Sequence, residues 1–190
     1  LEYSPSKKVS FETISKARKI DKVIDRFPVL IEGEDKAGEF YRFNFGTMFA
    51  YIQNRIPEIS NELYRIDDAL RAGFGWENGP FQIWDSIGIK KGVELMKALG
   101  YEPAEWISEM INNNINKFYS VENSITNYYD INSKSLEPKP GQNSLIILKN
   151  LDKSSVIWEN SDSIITDIGD GIINLEFRTK MNTLGQGVLI

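Results

Sequence analysis

Ile66-Asp67-Asp68-Ala69-Leu70-Arg71-Ala72-Gly73-Phe74-Gly75-Trp76-Glu77-Asn78-Gly79-Pro80-Phe81-Gln82-Ile83-Trp84-Asp85-Ser86-Ile87-Gly88 reads as a helix, a glycine-rich turn and a second helix. Gly73 is placed for a left-handed cap, and Pro80 suits the first turn of the helix that follows. Phe81, Trp84 and Ile87 then fall on one face, and Gly88 closes the element. Upstream, Phe45, Met48, Phe49, Ile52, Ile56, Ile59, Leu63, Ile66 and Leu70 recur at steps of three and four, one apolar stripe along a long helix. Pro57 interrupts that stripe and predicts a kink or break near Arg55-Ile56. Further out, Phe11, Ile14, Ala17 and Val23/Ile24 form another stripe with Ser10 as its cap, and Gly33 to Gly38 reads as a loop. Helices are also expected from about Lys90 to Leu99, ending at Gly100, and from Pro103 through Trp106, Ile107, Met110 and Ile111.

Beyond Asn112-Asn113-Asn114 the texture changes. Phe118 to Val121, Thr126 to Ile131, Leu145 to Leu148, Val156 to Glu159 and Ile172 to Phe177 are short and β-branched or aromatic. Turn chemistry separates them at Glu137-Pro138-Lys139-Pro140-Gly141 and Gly169-Asp170-Gly171. Helices followed by strands, without alternation, imply separate units rather than one doubly wound sheet. The expected fold class is mainly α followed by a small β-rich segment, α+β overall, divided as residues 1–116 and 117–190.

The chain of 190 residues carries 22 Lys+Arg against 27 Asp+Glu, and neither Cys nor His. Those two zeros exclude disulfides, thiolate zinc sites, cysteine nucleophiles, imidazole bases and Ser-His-Asp triads. The net charge of −5 speaks against a general nucleic-acid binder, which needs clustered cations. The longest apolar runs are far shorter than the ~20 residues of a membrane span, so no membrane span is expected. The absence of Cys suits a cytoplasmic location. Leu1 is not Met, and Gly187-Val188-Leu189-Ile190 reads as the opening of an apolar element, so the chain is expected to be a piece of a longer protein.

Several motifs have a functional and a plain reading. Gly73-Phe74-Gly75 with Gly79 imitates a dinucleotide loop, but the third glycine comes one place late and the preceding element is helical, so a helix–helix turn is preferred. Glu58, Glu62, Asp67 and Asp68 could supply paired carboxylates for a hydrolase, yet such a row beside an apolar stripe is usually a solvated face, with Asp67 the member expected to have a structural partner. Trp76, Phe81 and Trp84 could line a pocket, and core is preferred. Lys180-Met181-Asn182-Thr183-Leu184 is undecided between a polar turn and a functional segment.

Ala37-Gly38-Glu39-Phe40, then Arg55-Ile56-Pro57-Glu58-Ile59, then the stretch from Ile66 to Gly88 resembles the C-terminal helical repeat of 3-hydroxyacyl-CoA dehydrogenases, whose pattern is I-D-x-A, G-F/L-G, G-P-F and D-x-x-G. Asp167 to Leu184 is similar to the first strand and N-A-L segment of the enoyl-CoA hydratase (crotonase) family, with Thr183 in place of the usual Ala. The order resembles the middle of a fused dehydrogenase and hydratase. That resemblance implies an NAD-dependent oxidoreductase and lyase of fatty acid β-oxidation as the parent, with NAD on a Rossmann domain outside this chain. It implies no catalytic residue here: the family's base is a His, and Asn54 stands too close to Asp67 for the catalytic Asn. The implied structural residues are Asp67, Gly73, Gly75, Gly79, Pro80, Trp84 and Asp85. Lys180 is the implied contact to a CoA phosphate, as a point charge. Implied partners are the parent's own Rossmann and crotonase domains, acyl-CoA and a second copy in a homodimer. The chain alone is expected to be inactive, and the other reading is a free-standing helical interaction module.

Overall fold

A computed structural model describes residues 9–142 and 144–188. Leu189 and Ile190 of the apolar ending lie outside the described residues. Among the described residues seven α-helices come first: α1 (Glu12–Ala17), α2 (Arg26–Glu32), α3 (Lys36–Gln53), α4 (Leu63–Phe74), α5 (Pro80–Ile87), α6 (Ile89–Ala98) and α7 (Glu105–Asn112). Strands β1 (Tyr119–Glu122), β2 (Ile125–Asp130) and β3 (Ser135–Pro138) form one three-stranded sheet in the order β1-β2-β3. Strands β4 (Val156–Glu159), β5 (Ser163–Gly169) and β6 (Ile172–Phe177) form another, β4-β5-β6. The fold is α+β, with a helical domain and small strand segments.

The chain makes two compact units that interleave in sequence. One runs to Ser120 and takes in Tyr128–Glu137; the other holds Val121–Asn127 and everything from Pro138 onward. Phe118, Tyr128 and Tyr129 are buried in the core of the helical unit, which is why that unit extends past the last helix.

In the helical unit the stripe breaks where Pro57 demands it: α3 ends at Gln53 and α4 begins at Leu63. Phe45, Phe49, Ile52, Ile56 and Leu63 are buried, whereas Ile59, in the connecting segment, is exposed. The core is built on stacked rings. Phe49 lies on Trp84 with centroids 4.6 Å apart, and Phe118 meets Phe81 and Trp84 edge-on at 5.1 and 5.2 Å. Such pairs add about 0.5–1.5 kcal/mol each beyond the area they bury. Gln53 is 1% exposed and replaces a missing peptide partner: its Nε2 donates to Glu102 O, and its Oε1 accepts from Ala104 N. That bond pair anchors the turn into α7.

Several local expectations differ from what forms. Ser10 caps nothing; Phe11 occupies the cap position of α1 without a side-chain bond, and the Thr13 N–H is met by Asp35 instead. Asp35 also caps α3, accepting from Ala37 N and Gly38 N, so the helix starts inside the stretch read as a loop. The left-handed cap of α4 belongs to Gly75 (φ +66°), while Gly73 stays helical. Trp76 is 40% exposed and is not part of the Phe81–Trp84 core.

In the second unit, Leu145 to Leu148 is not a strand. Leu145 and Ile146 are exposed, and a 3-10 turn follows over Leu148–Asn150. Nearby, the Gln142 amide accepts from Thr126 N and donates to Thr126 O. β6 pairs with β5 through Gly169-Asp170-Gly171, all three at positive φ, and not with Leu145–Leu148; β4 pairs on the far side of β5. β5, a strand absent from the sequence expectation, follows a turn at Ser161-Asp162. Asn160 builds that turn, accepting from Asp162 N and Ser163 N.

The two glycines of the α4 terminus separate cleanly by conformation. Gly73→Ala enters open space within a helix and is expected to stabilise by about 0.5–1 kcal/mol. Gly75→Ala places a Cβ at φ +66° and should cost about 1–2 kcal/mol. Chemical denaturation of the two variants measures both; equal shifts would show that the cap is misplaced.

Candidate functional site: two buried carboxylates sharing Tyr119

Asp67 lies on α4 and faces the start of α5. Its Oδ1 accepts from Phe81 N at 2.8 Å, and its Oδ2 from Gln82 N at 3.2 Å and from the Tyr119 hydroxyl at 2.8 Å. The first amides of α5 have no partner within their own helix, so a carboxylate from a neighbouring helix caps them. Gln82 completes the turn by accepting from Gly79 N at 2.9 Å. Gly79 is required by close approach: a Cβ there would stand 2.3 Å from Asp67 Cγ. Pro80 occupies the first helical position. Trp84, fully buried, donates its indole N–H to Ile89 O at 3.1 Å and fixes the step from α5 to α6.

Asp85, one turn further along α5, accepts from Phe118 N at 2.7 Å and Tyr119 N at 2.9 Å. Tyr119 therefore binds Asp85 through its backbone and Asp67 through its side chain. Burial pushes both carboxyls up to about 7, against the opposing pull of the donors, and for Asp85 also of the Lys117 charge. Burial, and then the adjacent Asp67, hold the Tyr119 hydroxyl well above its ordinary value.

Asp67, Gly79, Pro80, Trp84 and Asp85 thus come together at one helix junction, with Gly75 closing α4 and Gly73 outside the junction. Tyr119 was not singled out by sequence; it lies 52 residues from Asp67, and no local pattern marks its hydroxyl. Lys180 is exposed, in the second unit, within a 3-10 turn (Lys180–Asn182) whose Met181 and Asn182 have positive φ. No metal-binding group of three or more His, Cys, Asp or Glu occurs among the described residues. Of the carboxylate row, Glu58 and Asp67 form no hydrolase pair: Glu58 is a surface residue bridged to Arg55 at 2.9 Å, and Asp67 is 1% exposed with its oxygens engaged. Enclosed acids with backbone donors position helices; they present no open face to a substrate. Among the described residues no helix is long and apolar enough to cross a membrane.

Tyr119→Phe leaves the junction's shape intact and removes one of three donors from Asp67, so it should cost about 1–3 kcal/mol in denaturant melts. A second expectation concerns pH. An unfolded carboxyl releases its proton near 3.9, while Asp67 and Asp85 hold theirs to about 7 when folded. The folded state thus binds more protons between those values. The stability contributed is complete below about pH 4 and is lost as pH rises toward about 7, by up to ~1.4 kcal/mol per pH unit for each group. Thermal melts across that range should show the parent losing stability faster than Asp85→Asn; parallel curves would refute the raised value for Asp85.

No family model and no solved structure matches the chain. Among curated proteins, a "Probable 3-hydroxyacyl-CoA dehydrogenase" of Bacillus subtilis (strain 168) is 30% identical over 190 residues, covering 100% of this chain and 24% of that relative. A "Putative fatty acid oxidation complex trifunctional enzyme" of Rickettsia prowazekii (strain Madrid E) is 25% identical over 79 residues, covering 42% of this chain and 11% of that protein. One of the same name from Rickettsia felis (strain ATCC VR-1525 / URRWXCal2) is 24% identical over 78 residues, with 41% and 11% covered. The chain spans about a quarter of the length of the first relative. It is similar over its whole length to a segment of a protein named as a 3-hydroxyacyl-CoA dehydrogenase, and over part of it to segments of proteins named as fatty acid oxidation trifunctional enzymes.

Proposed function

We propose that this chain is the non-catalytic helical repeat and following linker of a fused NAD-dependent 3-hydroxyacyl-CoA dehydrogenase and enoyl-CoA hydratase. The observation that carries the reading is the similarity, over all 190 residues, to a protein named for the first of these activities. The helix junction supports a scaffolding role: α4, α5 and α6 are locked to one another by buried acids and an indole. In this reading the repeat walls an acyl-CoA cleft beside an NAD-binding domain of the same cytoplasmic protein, and Lys180 meets a CoA phosphate. The chain's own partners are then its Rossmann and crotonase neighbours. A free-standing interaction module is the second reading, favoured by Phe40, Phe43 and Tyr51, which stand exposed on α3.

Calorimetric titration of the 190-residue chain with NAD should show no stoichiometric binding, and the chain should not oxidise 3-hydroxyacyl-CoA. A polypeptide of the relative's full extent should do both. In that longer protein Lys180→Ala should raise KM for the acyl-CoA substrate roughly 1.5-fold to fivefold, the worth of one exposed ion pair. NAD binding by the chain alone, or an inactive full-extent protein, would overturn the assignment.

A further inference from the structure

We propose that Asn78-Gly79 is a latent succinimide site, where the chain cyclises and loses ammonia unaided, and that Gln82 holds it shut through the Gly79 amide. Asn78 is the one asparagine of the sequence that glycine follows. Asparagine is thermolabile because the backbone nitrogen of the next residue can attack its side-chain carbonyl. A glycine in that position puts no Cβ in the way. The fold demands that glycine: a Cβ at residue 79 would stand 2.3 Å from Asp67 Cγ. The close approach that builds the α4–α5 junction therefore brings a reactive pair with it.

The reaction needs only the chain and water. The Gly79 nitrogen gives up its proton and bonds to Asn78 Cγ, the Cγ–Nδ2 bond breaks, and the side-chain nitrogen leaves as ammonia with that proton. Water then opens the cyclic imide on one side of its nitrogen or the other. Breaking the new bond to Cγ leaves aspartate. Breaking the bond to the Asn78 backbone carbonyl leaves isoaspartate, whose main chain runs through the side-chain methylene. Both products set a negative charge beside buried Gly79, and isoaspartate also displaces Gly79 from Gln82 and Asp67.

The leaving group and the nucleophile are held differently. The Asn78 Nδ2 is buried and has no hydrogen-bond partner among the described residues, so no acceptor ties down the nitrogen that would leave. The restraint falls on the nucleophile: Gly79 N donates to Gln82 Oε1 at 2.9 Å. To react, that N–H must leave its acceptor and turn toward Cγ. Gly79 is anchored at its other end too, where its carbonyl accepts from Ile83 N at 2.9 Å. Gln82 is seated on α5 by its own N–H, which Asp67 accepts at 3.2 Å. The acid that forces glycine into the turn thus also seats the residue that protects it.

Peptide mapping by mass spectrometry of the 190-residue chain, held at mildly alkaline pH, scores conversion of Asn78 to aspartate and isoaspartate. The folded parent should convert about tenfold or more slowly than the same chain in urea. Gln82→Met keeps the length of the side chain, removes the acceptor, and should speed conversion about threefold to tenfold, the worth of one hydrogen bond. Gln82→Glu accepts with a charged oxygen and should convert no faster than the parent. Hydrogen exchange at the Phe81 amide, which Asp67 holds, should stay slow in both variants and so separates loss of the guard from general loosening. A folded parent that converts as fast as the chain in urea overturns the proposal. So does a Gln82→Met rate equal to the parent's, a Gln82→Glu rate above it, or a gain in rate matched by faster exchange at Phe81. If Gln82→Met does not fold, the Gln82→Glu comparison decides.

Discussion

The helical unit depends on one constraint: the first amides of α5 are buried, and a buried N–H without an acceptor costs about 1–3 kcal/mol. Asp67 meets that constraint from a different helix. To do so it must be enclosed itself, which draws Tyr119 over it and leaves room at residue 79 only for glycine. Asp85 repeats the arrangement a turn later for the amides that lead into β1. The Phe49–Trp84–Phe118 stack then fills the space between the elements these acids hold in register. Packing supplies most of the stabilisation, but the acids decide which residues meet.

Ordinary peptide partners are replaced by side chains throughout the chain. Gln53 stands in for a missing peptide at the entry to α7, and Gln142 stands in for a strand opposite Thr126. Each side-chain amide offers a donor and an acceptor in the geometry of a peptide group, so it can close a backbone end that no neighbouring segment reaches.

Helix content, the break at Pro57 and the α4–turn–α5 motif were legible because each is a local matter of periodicity, a missing donor or a positive φ. What stayed hidden was set by distant partners. Ser10 looked like a cap because it precedes an apolar stripe, yet Asp35, 22 residues away from Thr13, takes the bond. Gly73 and Gly75 are equivalent on paper; only the length of α4 decides that the second one bends. Ser163–Gly169 is hidden in the sequence because its first residue belongs to an Asn-built turn. Asp67 and Asp85 could be marked as structural from a family pattern, but their shared dependence on Tyr119 needed three dimensions.

The interleaved chain path bears on how the protein is made. The helices are complete in sequence by Asn112, yet their core lacks Phe118, Tyr119, Tyr128 and Tyr129 until those residues exist. On a ribosome, which adds roughly 5–20 residues per second, the seven helices leave the tunnel before the segment that caps and fills them. During that interval Trp84 and Phe81 face water on the side Phe118 later covers, and Asp67 has no hydroxyl above it. The helical unit is therefore completed by residues synthesised after it, and Tyr128–Glu137 acts as its closing stitch.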